Sequence, residues 1–196
     1  MGGLAAQAPL RPILVLGDSL SAAHNIPVES GWVALMQNRL EKQPTPLQRP
    51  IINASISGET SAGGLARLPQ LLAANKPALV LVELGANDGL RGLPITEIRS
   101  NLQHIVKACR DADAKVILLG IELPINYGPQ YRDALRVMYR DLAAEFNVPL
   151  VPFLLADVAE NPQLMQDDGL HPRAAGEPKV LDNVWPSVIV VLDKLK

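Results

Sequence analysis

The sequence predicts an α/β fold: a central five-stranded parallel sheet with helices on both faces. Three observations point there. The strand-like runs at 13–16, 51–54, 78–83, 116–119 and within 149–153 are largely apolar rather than alternating, as in strands covered on both faces. Segments with apolar residues at helical spacing separate these runs. The conspicuous polar motifs each follow a strand, and ligands of open parallel sheets bind beyond the carboxyl ends of their strands.

Taken in order, the first strand runs into Gly17-Asp18-Ser19-Leu20. Ser30 is placed to cap a helix carrying Trp32, Leu35, Met36 and Leu40. Pro44 and Pro46 mark the loop before strand two. Thr60 is placed to cap a helix with Leu65 and Leu68, and Pro69 is expected to start another turn. Strand three, 78–83, is the strongest. A helix over 96–110 buries Ile98, Leu102, Ile105, Val106 and Cys109. After strand four, Tyr131, Leu135, Met138, Leu142 and Phe146 recur at helical spacing. The last helix carries Val180, Leu181, Val184, Trp185 and Val188, with Pro186 expected to bend or interrupt it. Crossovers should be right-handed. In a 2-1-3-4-5 order, strand one lies between two and three, so the loops carrying Gly58 and Asn87 bracket Ser19.

A chain of 196 residues suits one domain, taken as residues 12–196 behind a flexible tail at 1–11. Its net charge of −2 gives no electrostatic footprint for nucleic acid or an anionic membrane. No apolar run is long enough to span a bilayer. A lone cysteine excludes an intramolecular disulfide; it suits the cytoplasm and does not forbid the periplasm. Ala6-Gln7-Ala8 has the small-x-small form of a signal-peptidase site without the preceding charged and apolar regions. The tail is therefore either the remnant of a trimmed secretory signal or a frayed Ala-rich end.

The chemistry lies in four loops. Ser19 follows strand one as a candidate nucleophile, or as an N-cap serine. Asp18 braces the turn, too near Ser19 to orient a base. Gly58 closes a polar turn, either exposing its N–H to a site or simply turning the chain. Asn87, in Gly85-Ala-Asn87-Asp88-Gly89, is a donor for a developing oxyanion or a turn residue. Asp168 and His171 lie three apart in Asp-Asp-Gly-Leu-His-Pro, so the carboxylate can hold Nδ1 while Nε2 faces a serine. His24 is the rival base, and His104 is placed mid-helix. A metal site at Asp167, Asp168 and His171 is the competing reading, but no His or Cys cluster completes a shell.

Together, Gly17-Asp18-Ser19-Leu20-Ser21, Gly58, Gly85-Ala-Asn87-Asp88 and Asp168-Gly-Leu-His171 resemble the blocks of GDSL hydrolases of the serine-glycine-asparagine-histidine superfamily, over about residues 12 to 190. A closer similarity, in Asn53-Ala-Ser-Ile-Ser-Gly58-Glu-Thr, the stretch from Leu81 to Gly92 and Met165-Gln-Asp-Asp-Gly-Leu-His171-Pro, is to the bacterial multifunctional thioesterase I / protease I / lysophospholipase L1 group with its arylesterase-type members. The resemblance implies a flavodoxin-like three-layer sandwich, no cofactor, no metal, a periplasmic or secreted setting and a small-molecule ester or thioester substrate. It makes Ser19 the nucleophile, His171 the base and Asp168 its orienter. The oxyanion hole becomes Ser19 N–H, Gly58 N–H and the Asn87 amide, and 89–94 a mobile loop by the acyl site. A monomer is the expected state.

Substrate contacts are expected from Leu20, Leu90, Leu93, Leu123 and Ile125, with Ile56 nearby. Glu122 departs from the group, where a basic or neutral residue is expected. Either Glu122 is a rim anion that would repel acyl-CoA phosphates and favour neutral aryl esters, or it points to solvent and has no effect on substrate choice. The alternatives are a carbohydrate deacetylase of the same superfamily and a noncatalytic anion-binding module.

Overall fold

The computed structural model describes residues 10–195. Ala6-Gln7-Ala8 and most of the tail at 1–11 lie outside them. Five strands, β1 (Ile13–Gly17), β2 (Ile51–Asn53), β3 (Leu79–Glu83), β4 (Lys115–Leu119) and β5 (Leu150–Val151), form one sheet in the order β2-β1-β3-β4-β5. Every pairing is parallel. β1 and β3 are buried at all positions, which is why these strands read as unbroken apolar runs. Their register sets Ile13 against Leu79 and Gly17 against Glu83.

Helices α1 (Trp32–Leu40) and α6 (Glu177–Asp193) pack together in one layer. Helices α2 (Ser61–Asn75), α4 (Ile95–Asp111) and α5 (Pro129–Phe146) pack in series in another. A one-turn helix, α3 (Ala86–Leu90), stands where the sequence reads as a turn. The apolar faces foreseen for α4, α5 and α6 are the ones buried, including Cys109, whose thiol burial pushes up to about 12.

Three local expectations meet a different outcome. Pro69 and Pro186 lie inside continuous helices. Both are exposed, so the carbonyl each leaves without its helical partner lies on the solvent side while the buried face keeps its packing. Ser30 does not cap α1, whose N-cap is Gly31. The carboxylate of Glu177, at the start of α6, instead accepts the Trp32 N–H at 2.8 Å. Thr60 does cap α2, accepting from the Gly63 N–H at 3.1 Å.

Glu177 is 2% exposed. Burial raises its carboxyl to about 7, against the lowering effect of the Trp32 N–H. A carboxyl raised in the fold costs stability once pH exceeds its ordinary value near 4.5, and the cost is complete above 7. Glu177→Gln keeps an acceptor for Trp32 and removes the charge. Its stability should exceed wild type by roughly 1–3 kcal/mol at about pH 8, the gap closing near pH 4. Urea unfolding at both pH values measures this; equal stabilities at the higher pH would show that Glu177 ionises at no cost.

Candidate active site

β1 ends at Gly17, and the chain turns at once. Asp18 Oδ1 accepts the Leu20 N–H at 3.0 Å, an Asx turn that holds Ser19 at its apex. Asn53 Nδ2 donates to Ser21 O at 2.8 Å and Trp32 Nε1 to Leu20 O at 3.2 Å, so the loop is tied to β2 and α1.

The loop after β5 reaches the same point from the far end of the chain. An isolated bridge joins Met165 to Pro172, and Gln166 N donates to His171 O at 2.8 Å. Gly169 turns with a φ of 66°. Gln166 Nε2 donates to His24 O at 2.9 Å, fastening this loop to the first. Asp168 Oδ1 accepts from the N–H groups of Leu170 at 2.9 Å and His171 at 3.1 Å. Its Oδ2 lies 2.7 Å from His171 Nδ1, and His171 Nε2 lies 2.8 Å from Ser19 Oγ.

Partial burial works against ionisation of Asp168, but the Leu170 N–H, the His171 ring and the His171 N–H outweigh it and bring the carboxyl down to about 2. Asp168 is therefore anionic at ordinary pH. It favours a proton on Nδ1, which leaves the Nε2 lone pair free to accept the Ser19 hydroxyl. His24 meets His171 rather than the serine: the ring centroids lie 4.3 Å apart, with planes tilted by 38°. His104 Nδ1 contacts Ser100 O on α4.

Asn87 and Gly58 stand on the loops that leave β3 and β2, the two neighbours of β1. Gly85, with a φ of 120°, starts α3, and a Cβ there would lie 2.4 Å from the Tyr139 hydroxyl. Asp88 anchors α3 to α2 by accepting from Ser61 N at 2.8 Å and Ser61 Oγ at 2.5 Å. Asn87 Nδ2 donates to Asp18 Oδ2 and to Glu59 O, each at 3.0 Å. Gly58 has a φ of 81°, and its carbonyl accepts from exposed Arg91 at 3.1 Å.

A cavity of about 150 Å³ opens beside Ser19 and His171. Leu20, Asn87, Leu90, Glu122 and Leu123 line it, together with Ile121, Pro124, Phe153, Leu155 and Leu170. Gly58 and Leu93 are not among the lining residues; Leu93 packs partly buried against the core. Ile125 is 82% exposed and borders an adjoining groove of about 240 Å³, which shares the Leu123, Phe153, Leu155 and Leu170 wall. In the sequence Phe153 reads only as the end of strand five, and Leu155 lies beyond it without a motif of its own. Leu170 lies between Asp168 and His171 and carries no polar signal.

Glu122 is not a free rim anion. Arg136 grips it at 2.9 and 2.7 Å, and Arg132 lies 3.6 Å away. Hydrogen bonds from Arg136 hold its carboxyl below the usual value. Arg136 also pairs with Asp133 at 2.6 Å, so two cations and two anions balance at this rim. The expected repulsion of acyl-CoA phosphates loses its source. Among the described residues no group of three or more His, Cys, Asp or Glu has metal-binding geometry. None of their helices is long and apolar enough to cross a membrane.

Residues 15–177 match the GDSL-like lipase/acylhydrolase family. The chain is 50% identical to the esterase TesA of Pseudomonas aeruginosa over 185 residues, covering 94% of this chain and 91% of that protein. It is 44% identical to thioesterase 1/protease 1/lysophospholipase L1 of Escherichia coli K12 over 170 residues, covering 87% and 79%. Its fold superposes on a structure of the psychrotrophic esterase EstA of Pseudoalteromonas sp., inhibited by monoethylphosphonate, with a TM-score of 0.87 at 41% identity, covering 93% of this chain and 99% of that one. The chain is a hydrolase belonging to the GDSL-like lipase/acylhydrolase family.

Proposed function

We propose that the chain hydrolyses carboxylic esters and acyl thioesters through an acyl-enzyme, with Ser19 as nucleophile, His171 as general base and Asp168 as its orienter. One observation carries this reading: the unbroken hydrogen-bond relay from Asp168 through His171 to Ser19. A serine hydroxyl needs such a base to attack at neutral pH.

Ser19 Oγ attacks the acyl carbonyl as its proton passes to His171 Nε2, and Asp168 stabilises the imidazolium that forms. The tetrahedral oxyanion faces the Ser19 N–H, the Gly58 N–H and the Asn87 amide. Both Asn87 amide hydrogens already have protein acceptors, so the oxyanion must share one of them. Collapse expels the alcohol or thiol, which takes the proton from His171. Water activated by the same base then releases the acid.

The apolar lining suits an acyl chain. At about 30 Å³ per water-sized unit, the first cavity takes a short to medium acyl segment, and a longer chain continues into the adjoining groove. Each buried methylene adds at most about 0.8 kcal/mol. The names of the relatives, esterase and thioesterase 1/protease 1/lysophospholipase L1, support the same substrate classes. A periplasmic setting is part of the proposal, and cell fractionation tests it.

Ser19→Ala should abolish turnover without unfolding the protein, since a triad acts as a unit. A fluorophosphonate probe should add its mass to Ser19 alone; labelling at Ser21 or Ser57 would remove the assignment. Asn87→Ala should lower kcat by roughly 100- to 1000-fold, whereas a loss confined to KM would make Asn87 a ground-state contact. His171→Ala should abolish activity on aryl esters while His24→Ala retains most of it; the opposite result would transfer the base role to His24.

A further inference from the structure

Directly behind the nucleophile the fold buries two carboxyl groups against each other. Asp18 and Glu83 are both 0% exposed. The β1–β3 register sets Glu83 opposite Gly17, so its side chain lies under the turn that carries Ser19. Glu83 Oε2 accepts the Asp18 N–H at 3.1 Å and the Ser21 hydroxyl at 2.8 Å. The contact requires glycine at position 17: a Cβ there would sit 2.8 Å from Glu83 Oε2 and 2.8 Å from Ser21 Oγ. The other oxygen, Oε1, is buried with no hydrogen-bond partner among the described residues.

Asp18 is the next link outward. Its Oδ1 holds the Leu20 N–H and its Oδ2 holds the Asn87 amide. Two full negative charges in this pocket would have little to compensate them. Outside the pair, the ionisable group acting on Asp18 is His171 from the β5–α6 loop, and the Tyr139 hydroxyl of α5 is itself raised by Glu83 and Asp18. Neither is a lysine or arginine. Burial, reinforced by the Asp18 charge, pushes the Glu83 carboxyl well above the ordinary range. Burial also raises Asp18, to about 6, while the Leu20 N–H, Glu83, His171 and Asn87 hold it down. The pair therefore keeps a proton, and Glu83 is the member that retains it to higher pH.

We propose that Glu83 is a positioning residue for hydrolysis: as a neutral acid it donates its proton to the Asp18 carboxylate, which in turn keeps the Asn87 amide aimed at the reacting carbonyl. This rests on the reading of Asn87 as an oxyanion donor. The retained proton completes the side-chain hydrogen bond between Glu83 and Asp18, and Oε2 remains the acceptor for Asp18 N–H and Ser21. Asp18 keeps its charge for two tasks, accepting from Asn87 and facing the imidazolium. An ionised Glu83 would instead repel Asp18 and loosen both.

Infrared spectroscopy of the whole enzyme tests the protonation. At about pH 8 the wild-type-minus-Glu83→Gln difference spectrum should contain the carbonyl band of a protonated, buried carboxylic acid; only carboxylate bands would overturn the proposal. Kinetics test the role. Glu83→Gln supplies the same acceptor and an N–H donor toward Asp18, so its kcat should stay within about threefold of wild type. Glu83→Leu should lower kcat by about 10- to 100-fold with KM changed less than about threefold. A folded Gln variant with kcat lowered by about 10-fold or more would overturn the neutral-acid role, whether or not the Leu variant folds. Combining Glu83→Leu with Asn87→Ala should cost no more than Asn87→Ala alone. Multiplying losses would show that Glu83 acts by another route, leaving the oxyanion reading intact. A fully active Asn87→Ala would remove that reading itself.

Discussion

β1 is hydrogen-bonded to β2 on one side and β3 on the other, and the loops carrying Ser19, Gly58 and Asn87 take their places from that double pairing. The pairing continues past β2: Ala54 N donates to Val15 O at 2.9 Å and Ile56 N to Gly17 O at 3.1 Å. The Gly58 loop is thereby laid against the end of β1. On the other side, the register of Gly17 with Glu83 delivers α3, and with it Asn87, to the opposite flank of Ser19. A slip of one residue would reverse which side chains face each layer. The buried apolar faces of β1 and β3 resist that slip, so core burial and site geometry have a common origin.

The His171 loop arrives by a different route. No strand pairing carries His171, which lies in a loop between the two-residue β5 and α6. Its position is set by polar clamps. Arg173 Nε donates to Met165 O at 2.6 Å, and Gln166 Nε2 bridges to Pro172 O and across to His24 O. Glu177 adds a further tie, joining the start of α6 to the start of α1. The cavity beside Ser19 lies where the two systems meet, with Leu20 from the Ser19 loop and Leu170 from the His171 loop on its walls.

Much of this was legible in the sequence for identifiable reasons. β1, β3 and β4 are unbroken apolar runs, and α4 and α5 have strong helical periodicity, so their existence and bounds were readable within a residue or two. The observed strand order is the one under which the Gly58 and Asn87 loops bracket Ser19, and the family resemblance implies the same sheet. Other features depend on partners distant in the chain. Ser30 has the chemistry of a cap, but the acceptor for Trp32 comes from Glu177 in the last helix. Glu122 is a charge departing from a pattern, yet its electrostatic effect is set by Arg132 and Arg136 on α5. Glu83 closes an otherwise apolar strand, the one local sign that it does more than pack.

The carboxyl groups around Ser19 occupy opposite environments. Asp168 is partly exposed, accepts two backbone N–H groups and faces an imidazole, and is driven to about 2. Asp18 and Glu83 lie in the dry space behind the nucleophile, where desolvation drives both upward. Environments that push similar groups apart divide their roles. A base must be oriented by a group that stays charged throughout its own protonation cycle, and the exposed, well-donated Asp168 meets that condition. A scaffold under an oxyanion hole has the contrary requirement. Net negative charge there opposes the charge that develops on the carbonyl oxygen, so a proton retained between Asp18 and Glu83 removes one of two unfavourable charges. The one that remains, on Asp18, is directed toward His171 and the Asn87 amide, where an anion is useful. On the proposed roles, a charged acid at the solvent edge and a proton-sharing pair behind the serine would let the site stabilise an imidazolium and an oxyanion side by side.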